Sequence, residues 1–465
     1  MISHRGAGLP FHSGPGTVRI VNSGFHALAL VSLMFAKSLW STRAETVADR
    51  KGSILKDRET LEHDPRWKYN DVEGGFAEAK RTGKPLLVVM RCVPCKACSG
   101  IDARVLLDDQ ALGVLLDRFV CVRVINANAL DLARFQFDFD LSFSTLIFNA
   151  DGTLYGRYGS WVHQANPLEE ATDGFRRALT SALELHRGYP ANKTSLAGKQ
   201  PGPSAYATPI DMPTLQGKYQ RNLDWEGKVV QSCVHCHMIG DALREAHRQK
   251  NERIPSALIY PFPEPASVGM ELALDHPARV RAVSAGSAAE RAGVRVGDDV
   301  VSANGQPLIS SADLSWVLHR APDAARISIV LRRDEREIPS YLELAEGWRF
   351  RSDNSRRVRT WGMRAMALGG LQLEDVPDFE RESRALSATQ LGLRVKHAGE
   401  YGHHAAAKKA GFRKGDVLVE VGGLKGRLTE GELIGRLLRD HAPGDRIQVT
   451  VLREGQPVEL SLPMQ

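Results

Sequence analysis

The stretch AAERAGVRVGD at residues 288–298 returns as AAKKAGFRKGD at residues 406–416, an offset of 118 residues. In both copies the pattern Ala-Gly-x-x-x-Gly-Asp predicts a short helix that ends at a glycine and turns into a strand. An apolar strand follows each copy, starting at Val300 and at Val417. A turn, a second helix and a closing strand then complete each unit. The repeat therefore predicts two similar domains of about 80 to 100 residues.

These repeated units resemble PDZ domains, on the strength of the two copies of that pattern. In that family the amides of a loop take a C-terminal carboxylate, and the bound peptide adds a strand to the sheet edge. The corresponding loops here are expected at Val268-Gly269-Met270 and at Leu391-Gly392-Leu393. The resemblance implies that the domains bind exported protein partners or C-terminal peptides. The alternative is that one or both copies only dock onto neighbouring domains.

A second informative stretch runs from Pro85 through an apolar run at 86–90 to Cys92-Val93-Pro94-Cys95-Lys96. The apolar run predicts a buried strand, and the cysteines follow it at once. A strand that leads into a Cys-x-Pro-Cys-Lys turn resembles the active site of thioredoxins. The resemblance implies that a helix N-terminus and Lys96 lower the pKa of Cys92, whose thiolate is the nucleophile. It also implies that Cys95 is the resolving thiol.

The same region departs from thioredoxins at several positions. Arg91 stands where that family has Trp before the first cysteine, and Ser144 stands where it has a cis-proline. Cys98 is an additional thiol one helical turn beyond Cys95, which could compete for the disulfide or join a metal site. The cysteines therefore have three interpretations: a redox-active dithiol, metal ligands, or an inert remnant.

The pentapeptide Cys233-Val234-His235-Cys236-His237 matches the Cys-x-x-Cys-His attachment signature of c-type haem. Two thiols at this spacing can form thioethers with the two haem vinyl groups, and the histidine that follows can bind the iron. The motif therefore predicts haem c, held by Cys233, Cys236 and His237. The alternatives are a zinc site, which the motif favours less, and a plain dithiol loop.

The N-terminus has the pattern of an export signal. Arg5 and Arg19 give a basic first region, and residues 25–35 (FHALALVSLMF) form an apolar run that is too short for a membrane span. Residues 42–44 offer a cleavage site that ends in a small side chain. We therefore expect a signal peptide at 1–48 and a periplasmic or secreted protein. An uncleaved signal would instead tether the chain to a membrane.

The composition and the absence of certain motifs limit the classes of partner and of enzyme that fit the chain. The chain has 465 residues, which suggests three or four domains, and its 61 basic and 55 acidic residues leave a net charge of only +6. Because both signs are interspersed, we expect no nucleic-acid partner. The sequence contains no Gly-Asp-Ser-Gly-Gly, Gly-Asn-Ser-Gly-Gly or His-Glu-x-x-His motif, which argues against a protease.

Together these patterns predict a multidomain chain of the α/β and mainly-β classes. It comprises a thioredoxin-like α/β domain, a short, mostly helical Cys-x-x-Cys-His segment and two PDZ-like α+β domains. The element order predicted for the first domain is α-β-α-β-α-β-β-α. The predicted boundaries are signal peptide 1–48, thioredoxin-like domain 60–188, linker 189–213, haem c segment 214–262, first PDZ domain 263–345 and second PDZ domain 365–465.

The combination resembles a class of bacterial secreted proteins that join these same parts, some of which use selenocysteine where this chain has cysteine. The resulting prediction is an exported redox protein, with a thioredoxin-like dithiol and covalent haem c. It would act as a thiol-disulfide oxidoreductase or electron carrier with a redox partner, while its PDZ domains bind partner peptides. The alternative is a non-enzymatic PDZ adaptor with a structural or sensory thioredoxin-like domain and no haem. An assay of disulfide reduction separates the two.

Overall fold

The computed structural model describes residues 47–93, 110–160, 168–352 and 360–465. Two of the predicted site residues, Cys95 and Cys98, lie outside these ranges, as does the predicted signal peptide apart from its last two residues. Within the described ranges, none of the helices combines the length and the hydropathy that a membrane span requires.

The first domain is built on a five-stranded mixed sheet in the order β1-β3-β2-β4-β5. β3 pairs in parallel with β1 and β2, whereas β4 runs antiparallel to both β2 and β5. The elements in chain order are α1 (Val47–Leu61), β1 (Trp67–Tyr69), α2 (Val72–Thr82), β2 (Leu86–Arg91), α3 (Gln110–Leu116), β3 (Val120–Val124), β4 (Phe143–Phe148), β5 (Leu154–Tyr158) and α4 (Leu168–Arg187).

The α/β fold class predicted for this domain is confirmed. The predicted element order is wrong at one place, because β3 leads to β4 through turns at residues 125–142 and not through a helix. All six side chains of β2 are buried, and the strand is apolar from Leu86 to Met90, as is typical of strands covered on both faces. α2 begins after Asp71, whose carboxylate accepts the N–H of Gly74 at 2.9 Å, and ends at Gly83 with a φ of 70°. The sequence did not predict α1 or the three-residue strand β1.

The segment between α4 and the first repeat is largely irregular and contains α5 (Lys193–Leu196), α6 (Val229–Ser232), α7 (Cys236–Arg248) and α8 (Ser256–Ile259). Its first part, residues 189–213, is not the free linker that we predicted. Leu196 and Lys199 are both 0% exposed, and Lys199 pairs with Asp313 of the first repeat. A composition rich in Pro, Gly and Ser indicates irregular backbone but does not show whether that backbone is packed.

The two repeat domains follow. The first has a two-stranded sheet of β6 and β7 and a four-stranded sheet in the order β11-β10-β8-β9, while the second has one five-stranded sheet in the order β12-β13-β14-β15-β16. The elements of the first are β6 (Met270–Leu272), β7 (Val280–Val283), α9 (Ala288–Arg291), β8 (Asp299–Ala303), β9 (Gln306–Pro307), α10 (Ser311–Arg320), β10 (Ala325–Arg333) and β11 (Arg336–Leu344). Those of the second are α11 (Thr360–Leu368), β12 (Leu371–Asp375), α12 (Asp378–Arg381), β13 (Leu393–Ala398), α13 (Ala406–Lys409), β14 (Val417–Val421), α14 (Glu430–Asp440), β15 (Arg446–Arg453) and β16 (Gln456–Pro463).

The aspartate that ends each repeated stretch ties the turn to the sheet. Asp298 and Asp416 are 1% and 2% exposed. Arg333, at the end of β10, donates two hydrogen bonds to Asp298 at 2.6 and 2.7 Å, and Arg453, at the end of β15, donates two to Asp416 at 2.8 Å. Each carboxylate also accepts the backbone N–H three residues earlier, at 2.8 Å. The Gly-Asp pattern therefore fixes the same helix-to-strand turn in both domains.

Replacing Asp298 with asparagine is expected to lower the free energy of unfolding by about 2 kcal/mol at pH 7. Burial alone would raise the pKa of Asp298, but the hydrogen bonds from Arg333 and from the Arg295 N–H outweigh it and lower the pKa. A carboxylate whose pKa is lowered by folding stabilises the protein above its unfolded pKa of about 4, and this contribution is lost as the pH falls through the folded pKa. Urea unfolding at pH 7 and pH 3 should therefore show a smaller difference between wild type and variant at pH 3. An equal difference at both pH values would contradict this account.

Candidate functional site

Cys92 directly follows β2, the central strand of the first sheet, which lies between β3 and β4. Its N–H donates a hydrogen bond to the carbonyl of Ser142 at 2.9 Å. Arg91, which stands where thioredoxins have Trp, is 4% exposed, and its guanidinium donates to the carbonyls of Cys92 and Ser142. The backbone at Cys92 is therefore held at its N–H and at its carbonyl, while the side chain stays half-buried.

The Cys92 side chain meets a histidine from a distant part of the chain. The Cys92 Sγ lies 3.2 Å from Nδ1 of His235, the residue that precedes α7. Burial lowers the pKa of His235 to about 4, and the nearby His237 and Arg50 act in the same direction. The imidazole is therefore neutral at neutral pH, and with its own proton on Nε2 it can accept the thiol proton at Nδ1.

Sequence reasoning did not identify His235 as a functional residue. It occupies a variable position of the Cys-x-x-Cys-His motif, so that the motif gives it no role. The 143 residues that separate it from Cys92 also hide the contact from any local pattern. The structure thus brings together one residue that was predicted as catalytic and one that was not.

The two cysteines of the pentapeptide are packed into the protein. Cys233 and Cys236 are 8% and 7% exposed. Cys233 packs in an apolar cluster with Ile125 and Val229, whereas Cys236 packs in a different cluster, with Met90 and other side chains of the first sheet. Burial raises the pKa of both thiols to about 12, so that both stay protonated at neutral pH. The two buried thiols flank His235, the residue that contacts Cys92, and anchor it in the protein.

His237 lies on the first turn of α7, where its side chain is 35% exposed and its Nδ1 is 3.6 Å from the Asp241 carboxylate. The described parts of the chain contain no group of three or more His, Cys, Asp or Glu side chains placed to hold a metal ion. Haem c needs both thiols and this imidazole on a single haem. Cys233 and Cys236 lie in separate apolar clusters and His237 contacts the Asp241 carboxylate, so haem attachment would require all three side chains to leave these contacts.

The first predicted carboxylate loop, Val268-Gly269-Met270, lies at the start of the edge strand β6. Gly269 has a φ of 89°, and a Cβ at this position would lie 2.0 Å from the Cβ of Ser287. Its carbonyl accepts the N–H of Ser284 at 2.8 Å. Beside β6 is a cavity of about 220 Å³, lined by apolar side chains of that strand and by Ser311 at the start of α10. The loop therefore lies where a bound strand would end.

The second predicted loop, Leu391-Gly392-Leu393, lies in the interior of its sheet. The Leu391 N–H donates to Lys425, the Gly392 carbonyl accepts from Val376, and Leu393 pairs with residues of both β12 and β14. This placement corrects our prediction, because a backbone with neighbours on both sides cannot accept another strand. The edge strands of this sheet are β12 and β16, and the glycine turn before β12 is Gly369-Gly370, with φ values of 55° and 89°.

Comparisons with known proteins agree with these two kinds of domain. A thioredoxin-like family model matches residues 67–150, and PDZ domain models match residues 279–333 and 402–464. No curated protein matches the chain.

Among solved structures, the matches include three of the HtrA-type protease AlgW. A variant with a decapeptide is 17% identical, with 30% of this chain and 40% of that chain covered and a TM-score of 0.19. The protease with a decapeptide is 15% identical, with 31% and 49% covered and a TM-score of 0.20. The protease with a tripeptide is 17% identical, with 30% and 52% covered and a TM-score of 0.18. The matches span only about half of each protease chain or less, and at these TM-scores they carry no functional argument. The matches to the family models show that the chain contains a thioredoxin-like domain followed by two PDZ domains.

Proposed function

We propose that this chain is an exported thiol redox protein that reduces or exchanges disulfides of polypeptides held by its PDZ domains. The observation that carries the proposal is the 3.2 Å contact between Cys92 Sγ and His235 Nδ1 at the end of the central strand. A neutral imidazole beside a thiol can accept the thiol proton and so generate the thiolate. The pattern of the N-terminus supports the export part of the proposal.

His235 would take the Cys92 proton as the Cys92 sulfur attacks one sulfur of a partner disulfide and forms a mixed disulfide. The other partner sulfur takes this proton from the imidazole as it departs, so that it leaves as a thiol. By resemblance to thioredoxins, Cys95 would attack the mixed disulfide in turn. The partner would leave as a dithiol, and the two electrons that it gains would leave a Cys92–Cys95 disulfide behind.

Replacing His235 with glutamine is expected to slow the alkylation of Cys92 by iodoacetamide at least about tenfold at pH 7, because the amide cannot accept the thiol proton. The measurement is the modified fraction at Cys92, resolved by mass spectrometry so that other cysteines do not contribute. His237→Gln is the matched control, because it removes an imidazole two residues away that contacts Asp241 instead. Equal rates in wild type and His235→Gln would contradict the proposed pair.

Covalent haem at Cys233 and Cys236, with His237 on the iron, remains a prediction of the motif. The pyridine haemochrome spectrum of protein produced with the c-type maturation machinery tests it, beside a Cys233→Ser/Cys236→Ser control. Because attachment would pull both anchoring thiols out of their apolar clusters, we expect it to displace His235 from Cys92. A covalent α-band in the wild type alone, together with slowed alkylation of Cys92, would show that the segment has this second state.

The second candidate function is an adaptor without redox chemistry. The half-buried Cys92 and the serine at the cis-proline position favour it over a general oxidoreductase. Disulfide reduction by the purified chain separates the two candidates. No reduction of insulin, with peptide binding retained, would favour the adaptor.

A further inference from the structure

The two PDZ domains differ at the place where a peptide would bind. In each, the helix next to the edge strand starts after a capping hydroxyl residue, Ser310 before α10 and Thr429 before α14. The first helical residue is Ser311 in the first domain and Glu430 in the second. The two domains therefore differ in the side chain at this position.

In the second domain, Glu430 closes the edge of β12. Its carboxylate is 5% exposed and accepts the backbone N–H of Leu373, in the middle of β12, at 2.7 Å. Arg364 on α11 is 8% exposed and donates to the same carboxylate from two nitrogens, with an Nε–Oε1 distance of 2.9 Å. An edge-strand amide that a bound peptide would use thus already has a charged acceptor within the chain.

A second contact fixes the helix that carries Glu430. Tyr260, from the segment after α8, is 0% exposed, and its hydroxyl donates to the carbonyl of Gly431 at 2.9 Å. A Cβ at Gly435 would lie 1.7 Å from this hydroxyl, so that only glycine leaves room for the ring. α14 is therefore held against its own chain at the first turn and at the second.

The first domain has no such closure among its described contacts. β6 pairs only with β7 in the described sheets, and its other edge faces the cavity of about 220 Å³. Met270, Leu272 and Leu274 give the cavity an apolar lining, while Glu271 and Arg281 pair at 3.1 Å with more than half of each side chain exposed. The groove thus has an apolar floor and a charged rim, and it lies beside the edge of β6 that does not pair with β7.

We propose that the two PDZ domains have unequal roles. An extended polypeptide with apolar side chains at alternate positions adds as a strand to β6 and fills the cavity beside Ser311. The edge of β12 is closed to a peptide by Glu430 and Arg364, and the second domain has a structural role. This proposal rests on the partner-binding part of the proposed function and is independent of the thiol chemistry.

Hydrogen exchange of the full chain tests the seal without any ligand. The Leu373 amide is expected to be protected in the wild type and to exchange about tenfold faster in Glu430→Ala, since one hydrogen bond to a buried carboxylate is lost. Glu374→Ala is the matched control, because this carboxylate of the same strand pairs with Arg394 and Lys396. An unprotected Leu373 amide in the wild type would overturn the seal, even if the variants fail to fold.

Peptide binding tests the open groove. Ten-residue peptides with a free C-terminus are selected on the full chain from a random library, and their affinities are measured by fluorescence anisotropy. Ser311→Glu, which places the residue of the second domain in the first, is expected to weaken binding at least about tenfold. Glu430→Ser is expected to retain the first site and to add a second.

Three results would overturn the proposal: binding unaffected by Ser311→Glu in a folded protein, binding lost only in Glu430→Ser, or no peptide selected at all. Insulin reduction measured on the same variants keeps the two proposals apart. If the chain reduces insulin but the peptide results above are not obtained, only the inference about the groove is wrong. If peptides bind as expected but insulin is not reduced, only the proposed thiol chemistry is wrong.

Discussion

Replacing Cys92 with serine is expected to reduce insulin disulfide reduction by the full-length chain to the rate of uncatalysed exchange. The reaction requires a sulfur nucleophile, because a serine hydroxyl neither ionises at neutral pH nor forms a mixed disulfide. Cys92 is the one described cysteine that is not buried, and it is the one in contact with an imidazole. The measurement is the turbidity of reduced insulin, with dithiothreitol as the source of electrons.

Cys121→Ser is the matched control for this result. Cys121 lies on β3 of the same sheet, is 1% exposed, and has a pKa that burial raises to about 12. Its thiol therefore stays protonated and out of reach of a partner disulfide, so the variant should retain reduction. Reduction that survives Cys92→Ser would contradict the assignment, as would an equal loss in both variants.

Much of this fold follows from local patterns in the sequence. β2 and β3 were predicted from apolar runs, since strands buried on both faces have few polar positions. The repeated Ala-Gly-x-x-x-Gly-Asp stretches predicted the two PDZ domains, because each glycine and aspartate in them has one local task, as Asp298 and Asp416 show. A pattern is informative where the chain's neighbours along the sequence are also its neighbours in space.

The candidate site was harder to predict because its contacts are long-range. No local pattern relates Cys92 to His235, or Lys199 to a carboxylate 114 residues away. The loop at 391–393 resembles the one before β6, since each has a glycine between two apolar residues, but only the order of the strands shows which loop lies at an edge. Covalent haem stays a prediction from the spacing of Cys233, Cys236 and His237, because spacing carries no information on the clusters into which the two thiols pack.

The buried ion pair of Lys199 and Asp313 is expected to make a large contribution to the stability of the folded chain. Replacing Asp313 with alanine should lower the free energy of unfolding by about 3 to 5 kcal/mol, because the partner ammonium stays buried without its counter-charge. The two side chains are 0% and 1% exposed, and Lys199 Nζ lies 2.6 Å from Asp313 Oδ2. The same carboxylate accepts the backbone N–H groups of Arg157 and Ile309, each at 3.1 Å. Urea unfolding at pH 7 measures the loss.

An exposed ion pair is the matched control. Glu343→Ala removes a carboxylate that lies 2.9 Å from Arg326, where both side chains are more than 60% exposed, and we expect a change below about 1 kcal/mol. A loss in Asp313→Ala no larger than in Glu343→Ala would contradict the argument. Lys199→Met/Asp313→Leu should recover only the part of the loss that comes from the unpaired ammonium, because the N–H groups of Arg157 and Ile309 still lose their acceptor.

The position of this ion pair extends the prediction beyond stability. Arg157 belongs to the thioredoxin-like domain, Lys199 to the segment predicted as a linker, and Asp313 to the first PDZ domain, so one carboxylate holds three parts of the chain together. The guanidinium of Arg157 adds to this junction, as it donates to the Lys199 carbonyl at 3.2 Å and lies 3.8 Å from the ring centre of Trp316. Asp313→Ala should therefore expose residues 189–213 to limited proteolysis under conditions where the wild type resists it. Uncut protein with lowered stability would show that the carboxylate stabilises the first PDZ domain without joining it to its neighbour.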